Sequence, residues 1–108
     1  MNPNTPKNWP LSSYTNSTWT DLVDEYSILA NLSIANISVT PVTISVRLSD
    51  GAGNNLAIIV PQNVIQPNDA FRIDLRAIAV VGVQTIQVWA NAAGANFLAS
   101  GAVEGGSV

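Results

Sequence analysis

The sequence predicts an all-β domain: an antiparallel β-sandwich, jelly-roll-like, led by an extended Pro-rich N-terminal arm. Three observations carry that expectation. Apolar and polar residues alternate with a period of two in several runs, most cleanly from Val42 to Ser49. Clusters of Gly, Pro, Asn and Asp interrupt these runs at short intervals, the spacing of sandwiches and small barrels. No stretch of useful length supports a long helix. The chain has 108 residues, enough for one domain and one core. The expected division is an arm over 1–12 and a sandwich over 13–108.

The elements follow in chain order. Pro3, Pro6 and Pro10 fall in the first twelve residues. Proline cannot donate to a ladder and favours extended polyproline geometry, so this segment reads as an arm outside the core. Trp9 within it points to an arm that docks, since disordered tails are poor in aromatics. A strand is expected over Ser17–Leu22. Ile28, Ala30, Leu32 and Ile34 share one face, with Asn31 and Ser33 opposite. Val42, Ile44, Val46 and Leu48 repeat the pattern against Thr43, Ser45, Arg47 and Ser49. Leu56–Val60 is apolar throughout and ends at Pro61, consistent with a strand covered on both faces. Phe71, Ile73 and Leu75 alternate with Arg72 and Asp74; Arg76 to Val81 continues ambiguously until Gly82. Ile86, Val88 and Ala90 alternate with Thr85, Gln87, Trp89 and Asn91. A weaker run closes the chain from Asn96 to Glu104. Asp50–Asn55 reads as a Gly-rich loop, Gln66–Asp69 as a turn with Pro67 pre-set at its second position, and Asn91–Asn96 as a hairpin loop. The expected core is Ile34, Val42, Ile44, Val46, Phe71, Ile73, Ile86 and Val88.

Composition narrows function. Four Lys and Arg residues face seven Asp and Glu, for a net charge of −3. Lys7, Arg47, Arg72 and Arg76 are scattered and cannot form the basic stripe that nucleic acid or an anionic membrane requires. Charged residues make up 10% of the chain, against about 25% in a typical domain. Such a surface repels copies of itself weakly, which favours self-association. His and Cys are absent, which removes disulfides, thiolate and imidazole zinc sites and the usual nucleophile schemes. No catalytic residue, cofactor or metal is expected. The N-terminus has no apolar run after Lys7 and does not read as a signal peptide, so assembly in a cytoplasm is expected.

The remaining chemistry is sparse. Asp21, Asp24 and Glu25 could pair as hydrolytic carboxylates, but acids in a turn are ordinarily solvated. Asp50, Asn54 and Asn55 offer oxygens on a Gly-rich loop, where calcium is possible and a plain turn favoured. Three Asn-x-Ser/Thr matches at Asn16, Asn31 and Asn36 are expected by chance in so polar a sequence. Trp89 falls on the polar face of its strand, where it is either a contact anchor or covered by a loop or arm. Trp9, Tyr14 and Trp89 are the candidate interface residues.

From Trp19 to Glu104 the chain resembles a group of small β-sandwich virion proteins of tailed bacteriophages. The matching pieces are Leu32-Ser33-Ile34-Ala35-Asn36, Val42 through Leu48, Asp50-Gly51, Ile65-Gln66-Pro67-Asn68, and Ile86 through Gly94. The chain departs from the group at Asp24-Glu25 and at Gly82-Val83. The resemblance implies a capsid decoration (cement) protein, a homotrimer that clamps major capsid subunits in the virion. A neck, tail or fibre-base component is the alternative. A carbohydrate-binding module is the alternative of another class. The group's pattern marks a fold and assigns no site residue.

Overall fold

The computed structural model describes residues 3–14 and 18–104, with side chains over 5–11 and 18–103. Eight strands follow one another: β1 (Pro3–Tyr14), β2 (Thr20–Val23), β3 (Ser27–Asn36), β4 (Val42–Ser49), β5 (Asn55–Ile65), β6 (Ala70–Val80), β7 (Thr85–Ala90) and β8 (Ala95–Glu104). They form two four-stranded antiparallel sheets, ordered β1-β8-β3-β6 and β2-β7-β4-β5. β1 pairs with β8, β2 with β7, β3 with β6, and β4 with β5. The chain is thus one long ribbon doubled back at the Asp50–Asn55 loop and wrapped into two layers, which is a jelly roll.

Period-two alternation places the core. Ile34, Val42, Ile44, Val46, Ile86 and Val88 are buried between the sheets, together with Leu29, Leu32 and Phe97. Phe71 and Ile73 pack against this cluster but are only partly buried, because β6 is the edge of its sheet and has cover on one side. The Gln66–Asp69 turn forms as expected: the Asp69 amide donates to the Gln66 carbonyl at 3.1 Å, and Asn68 takes φ 60°. Pro followed by a positive φ is the requirement of a type II turn.

Five sequence expectations need correction. The arm expected over 1–12 is a strand in its described residues: from Pro3 the chain is β1, and Trp9 is a core residue, 7% exposed. An edge strand tolerates proline where the missing N–H would face solvent. The Gly94 carbonyl accepts from the Ile37 amide just past β3, so alternation turns the backbone of Ala99 and Phe97 toward Trp9 and Leu11, and Pro6 and Pro10 face outward. In β3, Leu29 is buried in place of Ile28 and Ala30. A bulge at Ala30 shifts the β3–β8 register by one residue and flips the face. Gly101 stands where this bulge closes: a Cβ there would lie 2.2 Å from the Ile28 carbonyl oxygen. Leu56–Val60 is not covered on both faces; β5 runs on through Pro61 as an edge strand, with Leu56 and Ile58 exposed. The Asn91–Asn96 segment is not a hairpin, because β7 and β8 belong to different sheets. The strand expected over Ser17–Leu22 is shorter and later, at Thr20–Val23. The ambiguous stretch after Arg76 is the end of β6, reached through a bulge in which Arg76 and Ala77 take φ 52° and 66°.

Candidate interaction face

The outer face of the β2-β7-β4-β5 sheet holds the most organised surface chemistry. Register aligns Asp21 on β2, Gln87 on β7, Arg47 on β4 and Ile58 on β5 in one row. Outward-pointing positions within a row are neighbours, so these side chains meet. Gln87 donates through Nε2 to Asp21 Oδ1 at 2.9 Å and accepts at Oε1 from Arg47 Nε at 2.9 Å. Arg47 also donates to the Gly53 carbonyl at 3.2 Å, and its guanidinium lies 4.3 Å from the centre of the Trp19 ring. Two hydrogen bonds and a stacked ring hold the guanidinium in place, so little rotamer entropy remains to be lost on binding.

The adjacent row carries Trp89, half-buried and opposite Ser45 of β4. Ser45 is itself buried and donates to the Val60 carbonyl at 2.8 Å. Around this centre lie aliphatic side chains of β5: Leu56 is 50% exposed, Ile58 48% and Val64 54%.

Trp89 therefore stands on the outer face, as alternation predicts. Trp9 is on the opposite sheet and points inward; its Nε1 donates to Glu25 at 2.9 Å, and Lys7 donates to the same carboxylate. These donors, Lys7 first and Trp9 second, hold the Glu25 carboxyl below its ordinary range. Tyr14 pairs with Ala95 through its backbone; its side chain lies outside the described residues. The three candidate interface residues are not brought together. Trp19 and Arg47 are the members of the face that sequence reading passed over. The available signal was an arginine on the polar side of the most regular strand.

The carboxylates that could have paired are separated. Asp21 binds Gln87, while Glu25 binds Lys7 and Trp9. Asp50 is occupied by its own loop. Its Oδ1 accepts from the Ala52 and Asn54 amides, and its Oδ2 from the Asn54 side chain, which lowers the carboxyl's pKa. Among the described residues no group of acids gathers to hold a metal. An open groove of about 620 Å³ crosses the other sheet at the Ala30 bulge, between Pro6, Asn8, Ile28, Ala77 and Ala102. Lys7, Leu29, Ala30, Ser100 and Gly101 complete its lining.

No family model and no curated protein matches the chain. Solved structures give distant likenesses. The crystal structure of PirA aligns over 94% of this chain and 96% of its own, at 16% identity and a TM-score of 0.43. A structure of the Tobacco streak virus coat protein aligns over 99% of this chain and 92% of that one, at 13% identity and a TM-score of 0.39. The dimer structure of the same coat protein gives 100%, 93%, 12% and 0.46 for these quantities.

Proposed function

We propose that this chain is a structural protein of a virion that acts by assembly and not by catalysis, and more narrowly a capsid decoration protein that binds major capsid subunits. The observation that supports this reading is the outer face of β2-β7-β4-β5. A fixed Arg47 and two tryptophans sit at its centre with aliphatic side chains at its margin. Aromatic residues and Arg are enriched at protein interfaces, and rigid anchors of these types dominate binding energy. Such a face offers area to bury and a guanidinium to pair. It offers no activated nucleophile and no acid–base pair. The jelly roll is used by capsid proteins and also by lectins, so the fold alone does not choose between them.

The carbohydrate-binding reading is favoured by the same two tryptophans, since rings can stack on sugars. Immunogold labelling of virions from a culture that makes this protein tests the first reading, with gold expected over the heads. Labelling confined to the tail would move the protein to the neck or tail. Unlabelled virions combined with a specific glycan-array signal would replace the virion reading with the sugar module.

A further inference from the structure

Four strands end the two sheets: β1, β6, β2 and β5. An open strand edge is a template for pairing, and proteins blunt edges they do not use. Three of these edges are blunted. β1 carries Pro6 and Pro10 on its solvent side. β2 is four residues long. β5 contains Pro61 and shifts register against β4 three times. β6 differs. From Ala70 to Asp74 it pairs with β3 without a register shift.

The free backbone groups of this segment can be assigned. Asn36 donates to the Asp69 carbonyl and accepts from the Asn68 amide, so its backbone faces β6. By alternation Ile34 and Leu32 face β6 too, and their partners are Phe71 and Ile73. The N–H and C=O of Arg72 and Asp74 therefore point away from the sheet. Both side chains are exposed, and they carry opposite charges.

We propose that β6 is a self-pairing edge, through which a second copy of this chain adds antiparallel about a two-fold axis at Ile73. In that register Arg72 of each copy faces Asp74 of the other. The outward backbone groups of both residues meet as hydrogen-bonded pairs, and two unlike-charge pairs form across the axis. Charges on an edge commonly deter pairing. Here they select a register, because an axis at Arg72 or at Asp74 would set like charges together. The half-buried Phe71 and Ile73 at the open side of the sandwich gain cover. The Asn68–Asp69 turn and the Arg76–Ala77 bulge bound the segment, so the pairing uses the edge of each copy once and closes as a dimer. The inference is independent of a place in a virion.

Sedimentation equilibrium of the full chain tests it. The unaltered protein should form a dimer at tens of micromolar, on the order of the concentration at which modest interfaces assemble. R72D and D74R each set two like-charge pairs across the axis and should weaken the dimer about tenfold or more. The R72D/D74R double variant should recover it, and so should an equimolar mixture of the two single variants. Circular dichroism verifies that each variant is folded. Independently, I73C introduces a lone thiol and should give a disulfide-linked dimer on mild oxidation, since residues directly opposite in a non-hydrogen-bonded pair lie close enough to bridge. A chain that stays monomeric and does not cross-link, or an assembly indifferent to these charge changes, overturns the proposal.

Discussion

Asn36 shows how much one side chain can organise. It is buried, and its amide uses its full capacity: Nδ2 donates to the Thr40 and Ile65 carbonyls at 2.8 Å, and Oδ1 accepts from the Ser38 amide and hydroxyl. It ties the end of β3 to the segment before β4 and to the end of β5. Asn36→Ala removes the side-chain donor to the buried Ile65 carbonyl, while the carbonyl of the exposed Thr40 keeps the Ser38 hydroxyl; a buried group left unsatisfied costs about 1–3 kcal/mol. The expected loss is about 1–3 kcal/mol in urea unfolding, with the slope unchanged. The sequence showed Asn36 only as a chance Asn-x-Ser match and a strand end, because the partner that matters most, the Ile65 carbonyl, comes from β5. Glu25 makes a different prediction. Its carboxyl lies below the ordinary value of 4.5 in the folded chain. The stabilisation is therefore fully present above that value and is lost as pH falls through the lower, folded one. Urea midpoints should fall on acidification below pH 4.5, and Glu25→Gln should flatten the fall. The side chain is 38% exposed, so the effect should be small and reduced by salt.

At the scale of the element, β1 is where local composition misleads. Its prolines describe an arm, yet its inward positions are those of a strand: Trp9 opposite Ala99 and Leu11 opposite Phe97. Prolines spaced four apart fall on one side of a strand, and an edge has a side that asks nothing of them. The information that β8 would be its neighbour lies some ninety residues away. Deleting residues 1–12 removes Trp9 from the core and uncovers β8. Losing a buried tryptophan alone costs about 3–5 kcal/mol, against a total of about 5–15 kcal/mol for a small domain. The truncated chain should lose its cooperative thermal transition, and Trp9→Ala should lower the midpoint while leaving the transition cooperative. A truncation that melts like the full chain would restore the arm. The central strands β4 and β7 were legible because they have partners on both sides and no bulge between them. β3 was half legible: alternation holds from Leu32 onward and fails before the bulge at Ala30.

Across the whole molecule, period-two alternation told which residues face inward but not which strands are neighbours. Strand order depends on pairings between distant segments, and only β4 and β5 pair as consecutive strands. The face around Arg47 was hidden for the same reason, since Arg47 and Gln87 come from two strands and Trp19 from the segment before β2. A topology so rich in non-local contacts belongs to the slow end of folding rates. The doubled ribbon also brings Thr5 directly opposite Val103. A short peptide could join these two ends without disturbing a strand, and the chain could be reopened at the exposed Gly51–Asn54 bend. Such a rearranged gene would begin at β5 and end at β4, trading the one tight hairpin for a new connection between β8 and β1. Cargo joined ahead of Thr5 would leave from the β1 edge. Three strand spacings, about 14 Å, would separate it from β6 on the far side of the same sheet.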